Sequence, residues 1–381
     1  MPRLVIDARS VVAKKSGIGN YVDALIRHMA PLSGDLELSL LRHPEARESG
    51  PLVDGVPELF FRGETKSTAT VFSLARSVDL GGFDLYHSPA DLVPLGIPIP
   101  WVVTIHDLMW VEAPRLASAF LPVRIGNGLW YSANIRRSVA GAERVIAISE
   151  ATRQAISRHY PRHVHKTSVI HHGIEHSRFE QQLAAAAPRE LLDDWVPAGA
   201  RYSLIVGQGS PYKNHPAMIR AFVEAFRDDP GHKLVLLRRF ARVDREMSRL
   251  LERPEVKERV LPISFVPDEV LVALYRHARM LLFASLYEGF GLPGLEAMAL
   301  GTPVLASTAP AVQEVTGPGA IHAVPDSHVD LVRCMRRLDG DAKLRARLTR
   351  EASEWVKRYQ WDDTARKTLA VYRAALSANQ R

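Results

Sequence analysis

Residues 280–306, MLLFASLYEGFGLPGLEAMALGTPVLA, constrain the fold more tightly than any other stretch of the chain. The opening run 280–284 is short, continuously apolar and followed by turn residues, the pattern of a parallel strand covered on both faces. Gly289 and Gly291 let the backbone pass close to a ligand, and Pro293 suits the first turn of a helix, where no amide hydrogen is missed. Glu296 is expected in that same first turn. Gly301 then ends the helix, Pro303 prevents its continuation, and 304–306 begin the next strand. Such a strand-helix-strand unit belongs to an open α/β sheet, which holds its ligand beyond the carboxyl ends of the strands.

The rest of the chain repeats this alternation. Strand-like runs at 4–7, 36–41, 85–87, 102–105, 145–148 and 168–170 predict one parallel sheet, and runs at 202–206, 233–237, 260–261, 280–284, 304–306 and around Ile321 predict a second. A length of 381 residues with 46% hydrophobic residues sustains two doubly wound domains rather than one. The expected division is a first domain over 1–180, an alanine- and proline-containing connection over 181–200, a second domain over 201–355, and a C-terminal segment over 356–381 with a helical pattern at 355–376.

Charge and cysteine content narrow the function class. The 49 basic residues exceed the 42 acidic ones, and the resulting +7 suits an anionic partner. Nucleic acid is set aside, because neither a known recognition module nor aromatics interleaved with a basic stripe is present. Cys334 is the single cysteine, which implies a packed core thiol and a reducing compartment. The chain enters a strand almost at once and has no apolar stretch approaching the roughly 18 to 20 residues needed to span a bilayer, so a cytoplasmic protein is expected.

Within the opening segment, Glu288 and Glu296 stand eight positions apart, one in the loop and one in the helix. Both can accept hydrogen bonds from a polyhydroxylated ligand, and the free helix amides can receive phosphate. The alternative is that Glu296 complements the helix dipole while Glu288 is merely solvated. The wording Glu288-Gly289-Phe290-Gly291-Leu292-Pro293, with Glu296 following, resembles the E-x7-E motif of family 4 of the retaining GT-B glycosyltransferases. In that family the first glutamate contacts the transferred sugar and the second the ribose of the nucleotide. The resemblance spans nearly the whole chain, and it implies a GT-B fold in which the first domain serves the acceptor, the second binds the donor, and the C-terminal helix returns to the first.

Other positions follow from the same resemblance. Gly17 and Gly19, in Gly17-Ile18-Gly19-Asn20-Tyr21, match the loop after the first strand that approaches donor phosphates and acceptor, with Asn20 in place of a frequent arginine. As a bare motif they fail the dinucleotide fingerprint, since Val22 occupies the third glycine's place. His106 and Asp107 end a strand, and the family's histidine there lies near the reacting sugar; His87 ends another. Asn20, Tyr21, His87 and Asp107 are therefore acceptor-side candidates. His172 replaces an asparagine of the family's domain-junction turn and reads as structural. Lys213, after the turn 207–212 that begins at Gly207, corresponds to a lysine against the donor diphosphate. The family's second cation is missing, with Gln208 and Tyr212 in the places where it usually stands, and Arg238 or Arg239 can compensate. Glu314 is a secondary donor-side candidate.

No metal site is expected: Pro161 breaks the helical spacing of His159 and His163, and the resemblance implies catalysis with protein cations in place of a metal. The stretch 120–140 joins Phe120, Leu121, Val123, Leu129, Trp130 and Tyr131 to Arg124, Arg136 and Arg137, which fits peripheral contact with anionic lipid or a helix packed on the first domain. The functional expectation is transfer of a hexose from a nucleotide diphosphate sugar to a glycan or lipid-linked glycan, with no bound cofactor and with GDP-mannose as the first choice of donor. A nucleotide-sugar epimerase, a phosphorylase and a non-catalytic glycan-binding subunit are the alternatives.

Overall fold

The computed structural model describes residues 1–12, 16–118, 120–175, 188–239 and 245–378, with only the backbone of Arg239. Much of the expected connection, 181–187, lies outside the described residues, and its remainder carries a short helical turn at Arg189–Leu192. The chain forms two compact units. One comprises Met1–Pro114, Pro122–Gly173 and Tyr359–Arg381, and the other Arg115–Leu121 and Ile174–Arg358.

The first unit is built on strands β1 (Arg3–Asp7), β2 (Glu37–Arg42), β3 (Glu58–Phe60), β4 (Leu85–Ser88), β5 (Trp101–Ile105), β6 (Arg144–Ala147) and β7 (Thr167–Val169), in the order β3-β2-β1-β4-β5-β6-β7. The second has β8 (Tyr202–Gln208), β9 (Lys233–Arg239), β10 (Val260–Ile263), β11 (Leu281–Phe283), β12 (Val304–Ser307) and β13 (Ala320–Ala323), ordered β10-β9-β8-β11-β12-β13. Every pairing is parallel. Central strands such as β1 and β11 are buried over consecutive residues, as a sheet covered on both faces requires. Each sheet reverses its winding once, between β1 and β4 in the first unit and between β8 and β11 in the second, and these switch points are where an open α/β sheet leaves a crevice.

Twelve of these strands coincide with the sequence expectation, and β3 does not. Its three residues are half-buried and sit at a sheet edge, so they carry too little periodicity to be read. The C-terminal segment is also interrupted: one helix ends at Trp355, a short turn covers Val356–Arg358, and the Trp361–Ala378 helix follows. That last helix packs against the Gly17–Met29 helix within the first unit, sharing its core through Trp361, Leu369 and Tyr372.

Candidate functional site

At the switch point of the second unit, β8 runs out through Gly207 and a short turn, Pro211–Lys213, before the His215–Ala225 helix begins. Asn214, in the left-handed region at φ 57°, makes the corner. Its side-chain Nδ2 donates to the carbonyls of Ala284 (3.1 Å) and Pro325 (2.7 Å), which ties the turn to the segments just beyond β11 and β13. The amide of Leu286 donates to the Tyr212 carbonyl at 2.7 Å, so the loops leaving β8 and β11 are joined by backbone as well.

This bracing brings Lys213 and Glu288 together. Lys213 Nζ donates to Glu288 Oε1 at 2.6 Å, with side chains 11% and 10% exposed. The ammonium also lies 5.1 Å from the centre of the Tyr212 ring and 5.6 Å from that of Phe283, within the range of a cation–π contact. Tyr212, standing where a second cation was expected, thus meets the lysine with its ring.

Arg238 enters the same loop from the neighbouring strand. Contrary to the expectation that it follows the strand, it lies inside β9, opposite Gly207, because β9 continues to Arg239. The residue is buried, and a Cβ at Gly209 would fall within 2.5 Å of its Nη2 and 2.8 Å of its Cζ. A glycine at 209 is what leaves room for the guanidinium beside the loop.

The Leu292–Ala299 helix opens on Gly291, at φ 122° and ψ 41°, with Pro293 in its first turn. Gly291 is required by that backbone conformation and by Phe283, whose ring edge would stand 3.2 Å from an added Cβ; its close approach is to protein. Glu296 is the fifth helical residue, one turn later than expected, because the helix starts at Leu292. It is half-buried, and the Tyr275 hydroxyl donates to its Oε2 at 3.0 Å. The helix ends as expected, with Gly301 at φ 76° and the amides of Gly301 and Thr302 donating to Met298 and Ala297. Phe290 is buried, Gly289 and Leu292 half-buried, and Glu314 half-buried on the Pro310–Thr316 helix.

In the first unit three of the candidate side chains, Tyr21, His87 and His106, are turned inward. Ser16 caps the Gly17–Met29 helix by accepting from the Gly19 amide at 3.2 Å, so Gly17 and Gly19 form its first turn; Asn20 is exposed. Tyr21 is instead a core residue: its hydroxyl meets Thr104 Oγ1 at 3.3 Å, its ring stacks on His172 at 4.5 Å, and burial raises its pKa to about 12. His87 is fully buried, with Nε2 at 2.9 Å from Thr104 Oγ1 and Nδ1 at 2.7 Å from the Tyr372 hydroxyl. Burial drops its pKa to about 3, so it is neutral and has no exposed atom to offer an acceptor. His106 Nε2 faces the Pro89 carbonyl at 2.8 Å and must therefore carry the ring proton; burial lowers its pKa, with Asp91 opposing. Asp107 is half-buried and accepts from the Met109 amide at 2.8 Å.

Two ionic clusters here escaped the sequence reading. Asp7 and Arg9 form a bidentate pair, Nε to Oδ1 at 2.8 Å and Nη2 to Oδ2 at 2.5 Å, with side chains 4% and 0% exposed. Tyr86 donates to Asp7 at 2.9 Å, and Arg9 continues to Thr70 Oγ1 and the Gly63 carbonyl. Asp91, at φ 66°, accepts from the His106 amide at 2.6 Å and pairs with Lys66. The first has an aspartate at the end of β1 as its sequence signal, whereas Asp91 lies three residues beyond β4.

The Leu121–Gly141 helix packs on the first unit through its C-terminal half, where Ile135 and Val139 join the core and Tyr131 lies against it. Its buried residues are Asn134, Ile135, Ser138 and Val139, all in the C-terminal half, whereas Val123, Ile125 and Leu129 are exposed, as are Phe120 and Leu121 at its start. Arg136 is exposed, while Arg137 turns inward to the Val93 and Pro94 carbonyls. Among the described residues no helix is long and apolar enough to cross a membrane, and no group of three or more potential metal ligands occurs.

Residues 195–355 match the family described as glycosyl transferases group 1, and residues 15–178 match glycosyltransferase family 4. The two halves carry the GT-B fold of these glycosyltransferases. Among solved structures, this GT-B chain resembles Anabaena Alr3699/HepE in complex with UDP and glucose (TM-score 0.73, 17% identity, 98% of this chain and 100% of that one). It also resembles sucrose-phosphate synthase from Thermosynechococcus elongatus (TM-score 0.71, 19% identity, 99% and 100%). Curated relatives include a D-inositol 3-phosphate glycosyltransferase of Streptomyces avermitilis, 29% identical over 64% of this chain and 54% of the relative, so the match spans little more than half of that protein's length. An O-antigen chain mannosyltransferase B of Escherichia coli is 26% identical over 76% of this chain and 74% of its own.

Proposed function

We propose that this chain is a retaining glycosyltransferase that moves a hexose from a nucleotide diphosphate sugar to a hydroxyl of a glycan or lipid-linked glycan. The observation that carries the reading is the Lys213–Glu288 pair at the switch point of the second unit, 2.6 Å apart and held by loops joined through their backbone. A diphosphate leaving group needs positive charge as its bond to the anomeric carbon breaks. Lys213 supplies it, and Arg238 at Gly209 is the second cation that the sequence lacked at the usual places. Glu288 fixes the sugar hydroxyls and Glu296 the ribose. The C1–phosphate bond breaks, the bond to the acceptor oxygen forms on the same face, and the acceptor proton passes to the departing phosphate. His106, with Nε2 donating to Pro89, serves by position rather than as a base at that nitrogen.

Mannose from GDP-mannose is the donor we favour, supported by the O-antigen mannosyltransferase relatives. The inositol phosphate relatives favour a second reading, in which the acceptor is a phosphorylated polyol. The exposed apolar start of the Leu121–Gly141 helix supports peripheral contact with anionic lipid, and sedimentation with anionic liposomes at low salt tests it; protein left in the supernatant counts against it. The deciding experiment is a panel of GDP- and UDP-sugars, with released nucleotide measured with and without glycan and inositol phosphate acceptors. Acceptor-dependent release supports transfer, and turnover without acceptor supports an epimerase or hydrolase instead.

A further inference from the structure

We infer that Tyr275 is a positioning residue for the donor ribose, acting by holding the Glu296 carboxylate in a fixed plane; this rests on the donor-site reading of Glu296. Tyr275 lies in the last turn of the Asp268–His277 helix, and only 1% of it is exposed. Its backbone cannot drift, because its carbonyl accepts from Thr302 Oγ1 at 2.6 Å and from the Ala278 amide at 3.1 Å. The next carbonyl back, that of Leu274, accepts from the buried Tyr202 hydroxyl at 2.9 Å. The ring is therefore a rigid arm delivering one hydroxyl to one place. That place is Glu296 Oε2, 3.0 Å away on a different helix.

A carboxylate needs such an arm. The terminal torsion of glutamate is broad, so an unheld carboxylate presents its oxygens over a wide range of planes. The vicinal hydroxyls of a ribose are best received by a carboxylate whose plane is already set, since less freedom is then lost on binding. Burial, and then the Glu296 charge, push the phenol pKa well up, so Tyr275 stays a donor throughout the working pH range. A tyrosine that merely satisfied its hydroxyl inside the core would have no reason to influence one part of a nucleotide.

The test is a binding measurement on the full chain by calorimetry, using UDP, GDP and their 2′,3′-dideoxy forms. Tyr275→Phe keeps the ring and removes the hydroxyl. It is expected to weaken the ribonucleotides about tenfold and leave the dideoxy forms unchanged, as loss of a hydrogen bond to a charged group at one remove implies. In a Glu296→Ala background the same change should have no further effect. Equal weakening of both nucleotide types, or no weakening of either, overturns the positioning role. If Glu296→Ala alone binds ribo- and dideoxynucleotides as the wild type does, the ribose reading of Glu296 itself has failed. Far-UV circular dichroism on each variant separates these outcomes from misfolding, and Glu296→Gln, which keeps an oxygen to accept from Tyr275, should retain more of the ribose preference than Glu296→Ala.

Discussion

The two switch points share a topology and differ in what they do with charge. Between β1 and β4, Asp7, Arg9 and Tyr86 close on one another and on Thr70 and Gly63, with almost no side-chain surface left. Between β8 and β11, a lysine and a glutamate 75 residues apart meet, the lysine beside Gly207, and each keeps about a tenth of its side chain exposed. The first arrangement holds two strands and the following loop together. The second pairs a cation with an anion, each of which keeps some solvent exposure. Charge at a strand end is thus no sign of function by itself; the two pairs differ in how far their neighbours enclose them.

Removing either member of the second pair has the largest expected effect. Lys213→Ala and Glu288→Ala are each expected to lower turnover about 10² to 10³-fold while the protein stays folded, as loss of a preorganised charge at a reacting centre does. Initial rates alongside thermal melts check this, and wild-type turnover in both variants would refute the assignment. Arg9→Met should do the reverse. It strands the Asp7 carboxylate in the core and should cost about 3 kcal/mol in urea unfolding, with turnover per folded molecule unchanged; a turnover loss without a stability loss would show that the first switch point also handles substrate.

Smaller effects sharpen the contrast. Gly209→Ala pushes on the Arg238 guanidinium and is expected to weaken nucleotide binding about tenfold with little change in melting temperature; unchanged affinity would remove Arg238 from the donor site. Last comes a pH effect, to which buried His232 of the second unit, its pKa lowered by burial to about 4, also contributes. Burial lowers the pKa of His172 well below the ordinary value, that of His87 to about 3, and that of His106 as well. Above the unfolded histidine pKa these groups are neutral in both states and contribute nothing. As pH falls below about 6.5 the unfolded chain takes up protons that the folded one refuses, so stability declines toward pH 3 by at most about 1.4 kcal/mol per pH unit for each histidine. Chemical denaturation at pH 7.5, 6 and 5 measures the slope. Replacing His87 with Gln should flatten it, and an unchanged slope would place the acid sensitivity elsewhere.

What was legible follows from how far apart the interacting residues stand. The strand, glycine turn and helix around Glu288 and Glu296 were readable because apolar run, glycine and proline act within a few residues of one another. Even so, Glu296 was placed a turn too early, since the helix start depends on Gly291 adopting φ 122° against Phe283. Tyr275 gave no signal: its partner is 21 residues away on another helix, and a tyrosine amid apolar residues at helical spacing reads as core. Asp91 was overlooked for a similar reason, its partners being Lys66 and the His106 amide. The family resemblance makes Tyr21 and His87 acceptor-side candidates, and the core of the first unit takes both.

Local chemistry therefore decided the period of each element, the turns between them and hence the pair of parallel sheets. It also made Glu288 a candidate, while Lys213 became one through the family resemblance. Tertiary structure alone decided which charges pair with each other, that Arg238 reaches Gly209 from inside β9, and that the Tyr275 hydroxyl meets Glu296. The physical reason is range: propensity and turn geometry act over a few residues, whereas burial and hydrogen-bond partners are set by register between strands and by packing between elements far apart in the chain.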